Sequence, residues 1–157
     1  MNKIATFLWF DNQAEQAATF YTQLFPDSRI TRTVPYLEGV PGGKPSNTMT
    51  VEFEIFGRPY VALNGGPVFT FNEAISFVIH CDSQDEVDRY WQELGEGRSG
   101  QCGWIKDRFG VTWQIVPRVL DEYLADPDTS RAQRVFTAMM GMEKMEIASL
   151  ERAYRGE

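Results

Sequence analysis

The sequence contains one pattern twice, and this internal repeat limits the fold more than any other feature. Residues 56–64 and residues 109–117 both begin with Phe-Gly, both have an aromatic residue three positions after the glycine, and both continue as an apolar run. A strand-like segment and a helix-like segment precede each copy. The first of these segments begins at Thr6 and the second at Ser76, so the two halves align at an offset of 70 residues (76 minus 6). The chain is therefore predicted to contain two similar modules.

The charge and the hydrophobic pattern of the sequence argue against two kinds of binding partner, nucleic acids and membranes. The 15 basic residues are scattered among 22 acidic ones, so the net charge of −7 argues against nucleic acid. There is no signal peptide and no apolar run near the ~18 residues that cross a bilayer, so we expect a cytoplasmic protein without membrane contact. Its two cysteines, Cys81 and Cys102, are expected to be free thiols.

Each half of the repeat is predicted to begin with a strand and a helix. In the first half the strand covers residues 3–10 and the helix ends near residue 24; strands follow at 28–36, 47–56 and 59–63, with a loop at 38–46. In the second half the strand covers 73–81, the helix ends near 94, and strands follow at 100–106 and 111–116. Three short helices are predicted after Pro117.

The expected organisation is one α+β structural domain: two βαβββ modules, at 1–66 and 67–117, form curved mixed sheets around a cavity, and a helical tail covers 118–157. This arrangement resembles the vicinal oxygen chelate superfamily, which includes glyoxalase I, bleomycin resistance proteins and ring-cleaving dioxygenases. The chain is most similar to the PhnB-like branch, labelled after a 3-demethylubiquinone methyltransferase. The resemblance rests on residues 9–21, 24–28, 61–67, 100–110 and 113–117, with further matches at 126–128 and 134–139.

The resemblance also implies where a metal would bind. In metal-using members of the superfamily, four His, Glu or Gln side chains from the first and last strands of the modules hold a divalent ion. Those positions fall near Thr6, Val61, Ser76 and Gln114, and of these only Gln114 has a suitable donor. We therefore predict no metal site and no cofactor.

Strand alternation predicts which side chains face the cavity. Phe7 and Trp9, like Phe77 and Ile79, are expected to pack under the helices, so alternate residues face the opposite way. The predicted ligand-binding residues combine apolar groups with a few polar anchors, as small organic ligands require. They are Thr6, Leu8, Phe10, Ser76, His80, Trp104, Thr112 and Gln114.

Two of the residues in this region are weak catalytic candidates. His80 is the only histidine and so the natural acid or base near neutral pH, but a solvated strand-end position without a catalytic role is the favoured alternative. Cys102 lies between Gly100 and Gly103, yet a nucleophilic thiol needs an activating group, and packing is the favoured role.

Three functions are compatible with these features. The first, which we favour, is a metal-independent binder of an unidentified, partly aromatic small molecule. The second is an enzyme, either a lyase, a dioxygenase or, by family label alone, a methyltransferase, although no glycine-rich nucleotide motif supports the last. The third is a scaffold whose cavity is filled by bulky groups such as Leu8, Phe10 and Phe69. A homodimer is expected in each case.

Overall fold

The computed structural model describes residues 3–41 and 47–157, which form two compact units. The first unit ends at Phe71 and the second begins at Asn72. Within the loop predicted at 38–46, residues 38–41 lie in turns, and residues 42–46 lie outside the described ranges. No helix in the described ranges is long and apolar enough to span a membrane.

The first unit is a four-stranded mixed sheet with one helix packed on it. The elements are β1 (Thr6–Phe10), α1 (Ala14–Leu24), β2 (Arg29–Pro35), β3 (Thr48–Ile55) and β4 (Arg58–Asn64). The parallel strands β1 and β4 are neighbours, β3 and β2 follow in antiparallel order, and the sheet order is β1-β4-β3-β2. The ring of Tyr21 from the helix stacks on Phe53, and Phe53 stacks on Tyr60, so the core lies between helix and sheet.

The second unit has a three-stranded mixed sheet followed by three helices. The elements are β5 (Phe77–Cys81), α2 (Gln84–Gly95), β6 (Trp104–Lys106), β7 (Thr112–Pro117), α3 (Arg118–Leu124), α4 (Thr129–Met140) and α5 (Ile147–Arg155). The sheet order is β5-β7-β6, with β5 and β7 parallel and β6 antiparallel to β7. The predicted α+β class and the helical tail are confirmed.

The second unit has one strand fewer than the predicted βαβββ module. Only residues 96–103 connect α2 to β6, whereas residues 25–47 connect α1 to β3 and contain β2. Four residues in the shorter connection, Glu96, Gly97, Cys102 and Gly103, have a positive φ. Because left-handed residues turn the chain instead of extending it, this segment cannot supply another strand.

Helix α2 has strong local signals at both ends. Ser83 Oγ accepts a hydrogen bond from Glu86 N at 3.2 Å, and Glu86 Oε2 accepts one from Asp82 N at 2.7 Å. The Ser83 hydroxyl satisfies a free amide of the first turn, and the Glu86 carboxylate binds the amide of the residue before the cap, so the arrangement is a variant of the capping box. The helix ends at Glu96, whose φ of 50° takes the chain out of the helical conformation.

The face of the second sheet that packs under α2 carries the odd-numbered residues. Ile79, Ile105, Trp113 and Ile115 are all buried there. At the end of α2, a Cβ added to Gly95 would lie 2.4 Å from Ile105 Cδ1, which shows how closely helix and sheet approach. The even-numbered side chains of β5, β6 and β7 therefore lie on the opposite face.

The alternation predicted for β1 is wrong. Leu8 and Phe10 are 6% and 2% exposed and share the face of Tyr60 and Ala62, which packs under α1, whereas Phe7 is 59% exposed. Thr6, Leu8 and Phe10 therefore point to the helix side of their sheet and not to an open face.

The cause of this error is a difference of one residue between the two connections. Three residues, 11–13, join β1 to α1, but only two, 82–83, join β5 to α2. Helices α1 and α2 align at an offset of 70 residues, but strands β1 and β5 align at an offset of 71. The buried Leu8 therefore corresponds to the buried Ile79 (79 minus 8). A shift of one residue along a strand moves every side chain to the other face.

Candidate functional site

The second unit contains a pocket of about 720 Å³ between the open face of its sheet and the C-terminal helices. The sheet, with the turn before β6, forms one wall, and α3, the end of α4 and the segment before α5 form the other. The sheet wall comprises Val78, His80, Gln101, Cys102, Trp104, Gln114 and Val116, and the helical wall comprises Leu120, Asp121, Leu124, Met139, Met140 and Met145.

The most polar part of the pocket is an imidazole paired with a carboxylate. His80 Nδ1 lies 3.2 Å from Asp121 Oδ2, and both side chains are substantially exposed, at 43% and 61%. A carboxylate accepts hydrogen bonds and does not donate them, so a carboxylate beside Nδ1 favours the ring form that carries its proton on Nδ1. The neutral imidazole then has an unprotonated Nε2 that can accept a hydrogen bond or a proton.

Gln114 is the second polar anchor. Its Nε2 donates a hydrogen bond to Ser76 Oγ at 2.8 Å, which fixes the orientation of the amide. The amide oxygen remains an acceptor on the pocket side of the sheet. Thr112 lies two residues earlier on the same face but does not line the pocket; it is buried, and its Oγ1 has no hydrogen-bond partner among the described residues.

Cys102 occupies a tight turn at the edge of the pocket. Gln101 and Trp104 exchange backbone hydrogen bonds, and the residues between them, Cys102 and Gly103, have φ angles of 53° and 80°. Two positive φ angles are typical of a type I′ hairpin, in which Asn or Gly is usual at the first position. The Cys102 thiol lies 3.9 Å from Met140 Sδ.

The same turn anchors the segment between α4 and α5. Cys102 N donates to Met142 O and Gly103 N donates to Glu143 O, both at 2.8 Å. A Cβ on Gly103 would lie 2.8 Å from Ile115 O and 3.2 Å from Met145 Cε. The glycine therefore allows Met145, which is 1% exposed, to pack closely over the sheet edge.

Cys81 is separate from this site. It is 1% exposed, and burial, aided by the nearby carboxylates of Glu86 and Asp82, raises the pKa of its thiol to about 12. A thiol that stays protonated is a poor nucleophile, so Cys81 has a packing role.

The structure brings together only part of the predicted ligand-binding set. Three predicted residues line the pocket: His80, Trp104 and Gln114. The weak catalytic candidate Cys102 lines it too, and Ser76 accepts the hydrogen bond of Gln114. Thr6, Leu8 and Phe10 belong to the first unit and lie on the helix side of its sheet.

The residues of the helical wall were not predicted. Leu120, Asp121 and Leu124 have the three-to-four-residue spacing of one helix face, and this spacing is the signal that could have identified them. The cavity is predicted from the repeat, and the tail lies outside the repeat, so this spacing does not enter that prediction.

The positions that would hold a metal in this superfamily do not fit one here. Ser76 and Gln114 use each other as hydrogen-bond partners, and Thr6 and Val61 lie on opposite faces of the first sheet. Nor do three His, Cys, Asp or Glu side chains gather into a metal-binding group anywhere in residues 3–41 or 47–157. A divalent ion needs three or four protein donors, and these positions offer one amide oxygen.

Comparison with known proteins identifies the family. The model of the 3-demethylubiquinone-9 3-methyltransferase family matches residues 2–116. The chain belongs to this family. A solved structure from Bacillus cereus, described as a candidate 3-demethylubiquinone-9 3-methyltransferase, PhnB protein, is 30% identical, with a TM-score of 0.64; the match covers 74% of this chain and 99% of that one.

A second structure, protein PA1353 from Pseudomonas aeruginosa, is 20% identical with a TM-score of 0.59, and the match covers 74% of this chain and 98% of that one. These similarities show the glyoxalase/bleomycin resistance-like fold. No curated protein matches the chain.

The family match ends before the helical tail begins. Residues 117–157, which contain α3, α4 and α5, lie beyond it, so the similarity expected at 126–128 and 134–139 is not part of the match. We call the matched residues 2–116 the family domain and residues 117–157 the extension. The sheet wall of the pocket therefore comes from the family domain, and the helical wall comes from the extension.

Proposed function

We propose that the protein binds a small, flat, largely apolar molecule in the pocket of the second unit. The observation that carries this proposal is the composition of the two walls: Trp104 lies on the sheet side, and Met139, Met140 and Met145 lie on the helical side. An aromatic ring offers a flat contact surface, and thioethers make favourable contacts with aromatic rings while adapting to their shape.

The size and polarity of the pocket support the same proposal. Small-molecule sites usually enclose ~300 to 1,000 Å³ and combine apolar walls with a few polar groups that fix orientation. The volume of about 720 Å³ lies within that range, and His80 and Gln114 supply the polar groups. Trp104 is 36% exposed, so part of its ring is accessible to a ligand.

The enzymatic alternatives have less support from the residues present. A lyase or dioxygenase of this superfamily would use a metal, and the four equivalent positions do not form a chelate. The family name describes a methyltransferase, but Gly65-Gly66 leads into a loop, whereas a nucleotide-binding glycine motif opens a helix.

The filled-scaffold alternative depended on three bulky side chains. Leu8 and Phe10 pack under α1, and Phe69 is 62% exposed with its ring edge-on to Trp9, at a centroid distance of 4.9 Å. None of the three lines the pocket of the second unit. The volume of that pocket is therefore open to an external ligand.

Calorimetric titration with 2-methoxynaphthalene, a flat apolar probe, tests the proposal. Binding to the wild-type protein should be saturable, and Trp104→Ala should weaken it about tenfold, because an aromatic contact contributes ~0.5 to 1.5 kcal/mol beyond area burial. Phe69→Ala is the matched control, since it removes another exposed aromatic ring outside the pocket and should leave affinity unchanged. No binding, or equal effects of both substitutions, would refute the proposal.

A further inference from the structure

The contact between the imidazole of His80 and the carboxylate of Asp121 links a residue of the family domain to a residue of the extension. His80 belongs to β5, inside the matched region, and Asp121 belongs to α3, beyond its end. Both residues line the pocket, and among the described residues Cys102 is the one other ionisable group that lines it. The exposure of the pair means that it adds little to stability, so its main physical effect is to orient the imidazole.

The resulting arrangement favours a ligand that donates a hydrogen bond. With Nδ1 beside the carboxylate of Asp121, His80 presents Nε2 as an acceptor, and Gln114 presents its amide oxygen. In the strand register His80 pairs with Val116, two residues from Gln114 and on the same face of the sheet. A hydroxyl group on a flat ring can satisfy such acceptors, whereas its methyl ether cannot.

We propose that the pocket selects ligands with a weakly acidic hydroxyl group and that His80 takes the proton of that group. The O–H bond of the ligand breaks, its electron pair stays on oxygen, and the proton forms a new bond to Nε2 of His80. Asp121, as a positioning residue, keeps the Nδ1 proton in place and offsets the positive charge of the imidazolium. The step needs no further reactant.

The ligand class is thus a phenol or an enol on a flat, apolar ring system. This inference rests on the proposed binding function, and it adds both the group that is recognised and its charge state. Proton transfer to His80 becomes more complete as the hydroxyl group of the ligand becomes more acidic.

Two probes with the same ring test the inference. Calorimetry compares 2-naphthol with 2-methoxynaphthalene, which lacks the hydroxyl proton. The wild-type protein should bind 2-naphthol about three to ten times more tightly, the effect of one hydrogen bond worth ~0.5 to 1.5 kcal/mol. His80→Gln and Asp121→Asn should both reduce the ratio of the two affinities, whereas Phe69→Ala, which lies outside the pocket, should leave that ratio unchanged.

A spectroscopic measurement separates proton transfer from a purely structural role. The anion of 4-nitrophenol is yellow, and its neutral form is nearly colourless. At a pH at which the free phenol is mostly neutral, binding to the wild-type protein should increase the yellow absorbance, and binding to His80→Gln should not. A positioning role for Asp121 predicts a smaller increase with Asp121→Asn, because that variant retains the base but loses its carboxylate.

The outcomes separate the two proposals. Equal affinity for both naphthalene probes, or a preference that survives in His80→Gln, overturns proton acceptance by His80 but leaves ligand binding intact. Bound 4-nitrophenol that stays colourless in the wild-type protein also overturns it. Failure of both naphthalene probes to bind overturns the proposed function and this inference together.

Discussion

Gln84 connects the helical wall of the pocket to the family domain, and its removal is predicted to loosen that wall. The side chain lies at the start of α2 and makes two hydrogen bonds to the backbone where α5 begins, one to the first residue of α5 and one to a residue just before it. Its Nε2 donates to Met145 O at 3.0 Å, and its Oε1 accepts from Ile147 N at 2.8 Å. Gln84→Ala would leave both backbone groups without this partner.

The expected cost follows mainly from these two contacts. Gln84 Nε2 also donates to Asp88 Oδ1 at 2.9 Å, but such a pair within one helix contributes only ~0.2 to 0.5 kcal/mol. A typical hydrogen bond contributes ~1 kcal/mol net, and both are only partly buried, so Gln84→Ala should lower the free energy of unfolding by about 2 kcal/mol. For a chain of this size the melting temperature should fall by about 4 to 8 °C. The segment should not detach, because Lys144 Nζ still contacts Asp88 Oδ1 at 2.6 Å and the turn at Cys102 still binds Met142.

Urea unfolding and amide hydrogen exchange measure the two parts of this prediction. Gln92→Ala is the control, because Gln92 is an exposed glutamine of the same helix, and it should change stability by less than ~0.5 kcal/mol. In Gln84→Ala, exchange should accelerate at residues 142–147 and stay unchanged in the first unit. If both variants behave alike, or if exchange accelerates equally throughout, Gln84 does not hold this wall in place.

Two further predictions concern stability. Gly65→Ala places a Cβ 2.3 Å from the Trp9 ring and should cost ~1 to 3 kcal/mol in urea unfolding, whereas Gly141→Ala, with its nearest atom at 3.6 Å, should be nearly neutral; similar costs would contradict the close contact. The pKa of Cys81 is raised from 9.0 to about 12, so above pH 9 the folded state keeps a proton that the unfolded state loses, and stability should fall by up to ~1.4 kcal/mol per pH unit. Cys81→Ala should show a shallower alkaline decline, and an identical slope would mean that the Cys81 thiol does not cause the decline.

Much of the fold could be predicted from the sequence because its signals are local. The Phe-Gly turns, the alternation of β3 and the capping residues of α2 each depend on neighbours within a few positions. The repeat then supplied the tertiary arrangement within each unit. The missing strand and the reversed face of β1 come from differences in connection length, which a repeat aligned at one constant offset does not reveal.

The site was harder to predict because it depends on packing between distant segments. Alternation correctly placed His80 and Gln114 on one face of the second sheet. No local pattern indicates that α3 and the end of α4 cover that face or that Asp121 contacts His80. Such contacts depend on how an apolar helical tail packs on a sheet, and only the three-dimensional structure shows them.

Ligand recognition in the pocket of the second unit is tested most directly by a crystal structure of the protein soaked with 2-naphthol. We expect the ring to lie between Trp104 and the methionines of the helical wall, with the hydroxyl oxygen within hydrogen-bond distance of His80 Nε2. A naphthol molecule bound in the first unit, or a pocket that stays free of it while calorimetry shows binding, would contradict recognition at this site.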